Sequence, residues 1–208
     1  MVFLLELIGT IAFAISGAFV GIEKKMDVFG VSVLAMVTAV GGGILRDMIL
    51  NVTPPAAFRD PFFTFAAILT GIIVFCIMKK HVRLQNKTVY AVYEMVLRIM
   101  DAIGLGIFTV IGMEAAYVRD AETNIYLAVF VGVITGVGGG IMRDVMAGNT
   151  PYVFTKHFYA CASIIGAIVC AICWPLLGSM ISMLTGALLV VALRIMAAHY
   201  RWSLPKIE

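Results

Sequence analysis

Charge is what this chain has least of. Asp, Glu, Lys and Arg make up 13% of its 208 residues, while apolar types make up 62%, against about 25% and about 45–50% in soluble domains. So little polar material cannot clothe a water-soluble globule of this size, which excludes that class. Histidine is also scarce: His81, His157 and His199 lie in predicted loops or at helix ends, and no residues carry metal-ligand spacing. The four cysteines, Cys76, Cys161, Cys170 and Cys173, all fall inside apolar runs. Cys170-x-x-Cys173 has no second pair or histidine near it, so these read as packing residues rather than a redox or metal site. The net charge of +3 includes no basic tract suited to nucleic acid. No hydrolase or phosphate-loop constellation appears, since no strand precedes the glycine triplet at 41–43 and no Lys-Ser/Thr comes after it. No enzyme activity and no cofactor are expected.

What is present is length and apolarity. A spanning helix needs about 20 mainly apolar residues, and the sequence predicts seven: 3–22, 28–50, 61–79, 97–118, 124–147, 157–174 and 177–198. The first lacks a basic leader region and a small-residue cleavage site, so it is expected to be a retained helix. With seven spans, one side collects Lys24, Lys25, Lys79, Lys80, Arg83, Lys87, Lys156, Arg201 and Lys206, while the other has only Arg59 and Arg119 in its loops. The positive-inside rule then predicts an outer N-terminus and a cytoplasmic C-terminus in the cell (inner) membrane of a prokaryote. Contact of the basic loops with membrane lipids is expected as well.

Two short stretches nearly coincide. Residues 41–47 read Gly-Gly-Gly-Ile-Leu-Arg-Asp and residues 138–144 read Gly-Gly-Gly-Ile-Met-Arg-Asp, an offset of 138 − 41 = 97 that Thr38 and Thr135 share. Upstream, Glu6, Gly9, Phe13 and Gly17 align with Asp101, Gly104, Phe108 and Gly112 at an offset of 101 − 6 = 95. The fold class predicted is therefore an all-α polytopic membrane protein. Residues 1–80 form one three-helix repeat, 88–175 a second, and 176–208 a seventh helix with a cytoplasmic tail. An odd number of spans per unit inverts the second copy, an arrangement found in transport proteins whose path lies near the midplane at the repeat interface.

The triplets Gly41, Gly42, Gly43 and Gly138, Gly139, Gly140 weaken a helix by about 1 kcal/mol per glycine. Two roles stay open for them. A broken helix would free backbone carbonyls to line a polar path with Thr38 and Thr135, whereas intact glycines would let neighbouring helices approach closely. Arg46-Asp47 and Arg143-Asp144 are expensive inside apolar spans. Adjacent residues do not face each other on a helix, so a crossed pairing is expected, Arg46 with Asp144 and Arg143 with Asp47. These four read either as a latch between the repeats or as a gate. Glu6 and Asp101 read as first-turn acids or pore residues, and Glu114 lies deeper in its span.

The doubled Gly-Gly-Gly-x-x-Arg-Asp, set in two inverted three-helix repeats plus a seventh helix, resembles the trimeric intracellular cation (TRIC) channel family in its prokaryotic branch. The same bacterial domain is also labelled a glycine transporter domain. The resemblance covers nearly the whole chain. It implies a homotrimer with one pore per subunit, conducting monovalent cations (potassium, or sodium) along helices two and five, which kink at the six glycines. Arg46 and Arg143 occupy the place of basic residues implicated in gating or lipid contact in animal members. They sit here in the bacterial motif rather than the animal Lys-Glu-Val pattern. The leading expectation is a potassium channel; the alternative is a secondary transporter of a small zwitterion such as glycine.

Overall fold

The computed structural model describes residues 2–81, 87–119, 124–155, 158–200 and 202. Arg83, Lys156, Arg201 and Lys206, which the charge argument uses, and His157 lie outside the described residues. Eight helices run in order: α1 (Val2–Glu23), α2 (Val28–Ile49), α3 (Ala56–Arg59), α4 (Phe62–His81), α5 (Lys87–Arg119), α6 (Ile125–Met146), α7 (Tyr152–Thr155) and α8 (Tyr159–His199). The all-α class holds, and among the described residues six helices are long and apolar enough to cross a membrane.

Six rather than seven such helices arise because α8 takes up both of the last two predicted spans. At about 1.5 Å per residue its 41 residues reach about twice the thickness of a bilayer core. Inside it, Gly178 is not helical, with φ 74° and ψ 165°, three residues beyond Pro175. The Ser182 hydroxyl donates to the Gly178 carbonyl at 2.8 Å, the i−4 back-bond that serine makes on a helix. The fourth predicted span also starts earlier than expected: α5 begins at Lys87, and Arg98 and Glu94 pair at 2.5 Å one turn apart along its polar N-terminal stretch.

Helix ends repeat between the halves. Asp27 caps α2 by accepting from the Gly30 amide, and Asn124, 124 − 27 = 97 positions later, caps α6 by accepting from Tyr126 and Leu127. Beyond the two C-termini, Asn51 and Gly148 (also 148 − 51 = 97 apart) take left-handed backbone. There the Val52 and Asn149 amides donate back to the Asp47 and Asp144 carbonyls, each at 2.8 Å. Packing repeats too: α1, α2 and α4 pack against one another, as do α5, α6 and α8, and the two sets meet along α2–α6 and α1–α5. At that junction the rings of Phe13 and Phe108 lie 5.2 Å apart. Buried alanines such as Ala14, Ala18, Ala35 and Ala67 let helices approach closely, which lipid-embedded packing favours. Large apolar residues including Leu4, Phe65, Leu176 and Leu188 point outward, where hydrocarbon is their solvent.

Candidate functional site

Helices α2 and α6 cross at the two glycine triplets, and neither helix breaks there. The expected break points are instead contact points. A methyl group on Gly42 would collide with the Thr135 carbonyl, and one on Gly139 with the Thr38 carbonyl. A methyl on Gly41 would meet the Met142 sulfur at 2.5 Å, and one on Gly138 the Leu45 side chain at 3.0 Å. The third glycines differ. Gly140 is closed by the Tyr159 hydroxyl, 2.8 Å from an added methyl, whereas Gly43 has only the Arg46 guanidinium at 3.8 Å. Helix continuity is retained because close backbone packing compensates the weak propensity of glycine. Thr38 and Thr135 are buried and donate to the carbonyls of Leu34 and Val131 on their own helices, each at 2.6 Å.

The Arg-Asp pairs are local, not crossed. Arg46 Nε donates to Asp47 Oδ1 at 2.8 Å, and Arg143 Nε to Asp144 Oδ1 at 2.9 Å. The cause is the short helix that succeeds each long one. Asp47 Oδ2 accepts from the Ala56 amide at 2.7 Å and Asp144 Oδ2 from the Tyr152 amide at 2.9 Å. Those amides open α3 and α7, so each aspartate ties the returning chain to its helix. The long arginine side chain then curls round to its own neighbour.

The two arginines differ in everything else they touch. Arg143 has no solvent exposure. Its Nη1 donates to Ser16 Oγ at 2.5 Å and to Asp101 Oδ1 at 2.6 Å, and its guanidinium lies 5.1 Å from the Tyr152 ring centre. The Tyr159 hydroxyl donates to Asp101 Oδ1 at 3.3 Å, and Arg194 Nη2 stands 3.8 Å from Asp101 Oδ2. Burial raises the Tyr152 phenol above its ordinary range while Arg143 pulls the other way, so it remains a neutral hydroxyl. Asp101 lies 101 − 87 = 14 residues into α5, which corrects its reading as a first-turn acid.

Arg46, by contrast, borders a cavity of about 310 Å³ whose polar lining is Glu6, Thr10, Asp47, Asp60 and Glu114. Apart from Nε, its guanidinium makes no hydrogen bond within the described residues. The Arg143 cluster has no copy here because the position matching Ser16 is Ile111 (16 + 95), which cannot accept a hydrogen bond. The cavity reaches the α2–α6 crossing at Gly43, and Phe108 and Ile111 form part of its apolar wall. Four carboxylates thus share this cavity with one arginine.

Sequence reasoning did not single out Ser16 as an arginine partner, nor Asp60, Tyr159 or Arg194. Arg194 carried a signal, being the one charged residue of its predicted span 177–198. Of the partners of Arg143, Asp144 and Asp101 lie in the repeated pattern, whereas Ser16 and Tyr152 left no signal.

The sequence model of a family described as "Glycine transporter" matches this chain twice, over residues 3–79 and 98–175. The UPF0126 inner membrane protein YadS of Escherichia coli (strain K12) is 39% identical over 204 residues, spanning 98% of this chain and 94% of that protein. The UPF0126 membrane protein YvgT of Bacillus subtilis (strain 168) is 33% identical, spanning 97% and 94%. Among solved structures, a prokaryotic TRIC channel crystallised in 0.5 M KCl superposes with a TM-score of 0.87 at 32% identity, covering 98% of each chain. The TRIC trimeric intracellular cation channel orthologue from Rhodobacter sphaeroides gives 0.85 at 27% identity, covering 97% of this chain and 98% of that one.

Proposed function

This chain belongs to the prokaryotic TRIC family, whose sequence model bears the description "Glycine transporter", and from that premise we propose that it conducts monovalent cations, potassium first, through a path within each subunit. One observation carries this: Glu6, Asp47, Asp60 and Glu114 face a single arginine in a cavity that ends against the α2–α6 crossing. An excess of carboxylates in a low-dielectric mouth concentrates cations and repels anions. The path continues along α2 and α6 past the glycines, with Thr38 and Thr135 beside it. Arg46, facing the cavity, acts at the path with Asp47. Arg143 and Asp144, sealed among Ser16, Asp101 and Tyr159, latch the opposite end.

In this reading residues 1–80 and 88–175 are inverted repeats, and Gly178 divides α8 into a sixth and a seventh span. The N-terminus lies outside a prokaryotic cell membrane, the C-terminus lies in the cytoplasm, and three copies assemble. The related YadS is described as an inner membrane protein, which supports the membrane, and the Rhodobacter orthologue as trimeric, which supports the three copies. Reconstitution in planar bilayers tests it. Discrete unitary potassium currents are expected, whereas saturable uptake with counterflow and no unitary steps would reject a channel.

A second reading is a carrier of a small zwitterion such as glycine. It is favoured by the Arg46 guanidinium, with donors unused by the protein, sharing one cavity with Glu6 and Glu114: these groups could hold a carboxylate and an ammonium. Glycine counterflow measured beside potassium flux in the same liposomes separates the two.

A further inference from the structure

Between the carboxylate cavity and the buried Arg143 cluster, α1 and α5 bring two aromatic rings into contact. We propose that Phe13 and Phe108 form the barrier to ion passage at the centre of the bundle, an apolar constriction that must part for current to flow.

Helix register places the pair. On α1, Glu6 and Thr10 line the cavity. Phe13 stands 13 − 10 = 3 residues further on, and Ser16, 16 − 13 = 3 beyond that, accepts from Arg143. Steps of three and four residues keep this series on one face of the helix. On α5 the order runs the other way. Asp101 accepts from Arg143, Phe108 lies 108 − 101 = 7 residues on, and Glu114, 114 − 108 = 6 further, returns to the cavity. Thr10 to Ser16 covers 16 − 10 = 6 residues, about 9 Å of helix, and the rings meet within that interval.

The rings fill the junction. Phe13 and Phe108 are both buried, and their centres lie 5.2 Å apart, within aromatic contact distance. Each ring rests on a glycine of the opposite helix, at matched positions 104 − 9 = 95 apart. A methyl on Gly104 would run into the Phe13 ring, and one on Gly9 would meet the Phe108 ring edge at 3.2 Å. The Phe13 ring edge also stands 3.3 Å from where a methyl on Gly139 would lie, so it closes against the α2–α6 crossing. Phe108 belongs to the cavity wall. A cation leaving the carboxylates meets hydrocarbon here, and two rings in contact offer no oxygen to replace the water it sheds. Arg143 and Asp144 latch the helices; the rings occupy the path itself.

This role rests on the channel reading, and single-channel recording in planar bilayers tests the two separately. Phe108→Ser should raise the open probability by up to about tenfold, the shift in a two-state equilibrium that loss of one aromatic pair can supply, because a hydroxyl wets the gap. Phe108→Leu, which keeps the gap apolar, should stay near the parent. Unitary potassium conductance should not fall in either. Equal open probability in the two variants overturns the proposal, whether both are raised or neither is. A fall in conductance overturns it too, since rings that bind the ion through their faces would produce that loss. Both of these results leave a conducting parent and the channel reading intact, whereas no unitary current from the parent or any variant overturns the channel reading and the barrier with it. If Phe108→Ser does not fold, Phe108→Tyr keeps the ring and adds an oxygen, and unchanged open probability there overturns the proposal.

Discussion

Gly42 and Gly139 are not interchangeable with the glycines beside them. Each faces a backbone carbonyl of the opposing helix, Thr135 and Thr38 respectively, and neither carbonyl can turn away from a new methyl group. Gly43 faces open cavity. Gly42→Ala and Gly139→Ala should therefore each push α2 from α6 and lower the yield of monodisperse protein sharply, while Gly43→Ala should fold as the parent does; size-exclusion profiles of the three variants check this. The two arginines divide in the same way. Arg143→Ala leaves Asp101 and Asp144 buried without their shared partner, a loss of about 3–5 kcal/mol. Arg46→Ala strands only Asp47 at a cavity wall and should cost less. Unfolding midpoints of the pair, measured in one detergent, should rank them in that order. Sequence identified these residues as a matched set. It could not rank them, because the rank depends on which neighbour each one meets.

Among the elements, α8 shows most clearly how a long apolar run is divided. Pro175 suggested a division near Trp174, yet the helix interruption lies at Gly178. A proline is tolerated when neighbouring groups satisfy the backbone it disturbs, whereas φ 74° with ψ 165° is a conformation essentially confined to glycine. An added methyl at Gly178 would meet nothing within 4 Å, so any loss there comes from backbone strain alone. Gly178→Ala should destabilise by about 1–3 kcal/mol, read as a lowered thermal midpoint, and Ser182→Ala, which removes only the hydroxyl donated to the Gly178 carbonyl, should cost less. α5 likewise departs from its predicted start, running from Lys87 through the Glu94 and Arg98 pair.

For the whole molecule, the two matched halves are used differently. One end of the bundle is sealed around Arg143, and the other opens on carboxylates around Arg46. If those carboxylates gather cations, their effect must fade as salt screens them, since the Debye length falls from about 10 Å at 0.1 M to about 3 Å at 1 M. Glu6→Gln combined with Glu114→Gln should lower unitary potassium conductance at 0.1 M salt and leave it nearly unchanged at 1 M. An equal loss at both concentrations would point to direct coordination instead.

Sequence alone determined the class of solvent, the all-α architecture and the doubled motif, because composition and spacing are properties of the chain before it folds. Glycine triplets and Arg-Asp pairs at a common offset mark equivalent positions whatever their neighbours are. What those positions do was decided only in three dimensions. Whether a glycine breaks a helix or admits a neighbour depends on the atom opposite it: for Gly42 that atom is the Thr135 carbonyl, 135 − 42 = 93 residues away. Whether an arginine is a latch or faces a cavity depends on partners contributed by other helices: Ser16 and Asp101 for Arg143, Glu6 and Glu114 beside Arg46. One aligned position, serine in one half and isoleucine in the other, removes an acceptor from the surroundings of Arg46, and Asp101, Tyr159 and Arg194 add to the difference around Arg143.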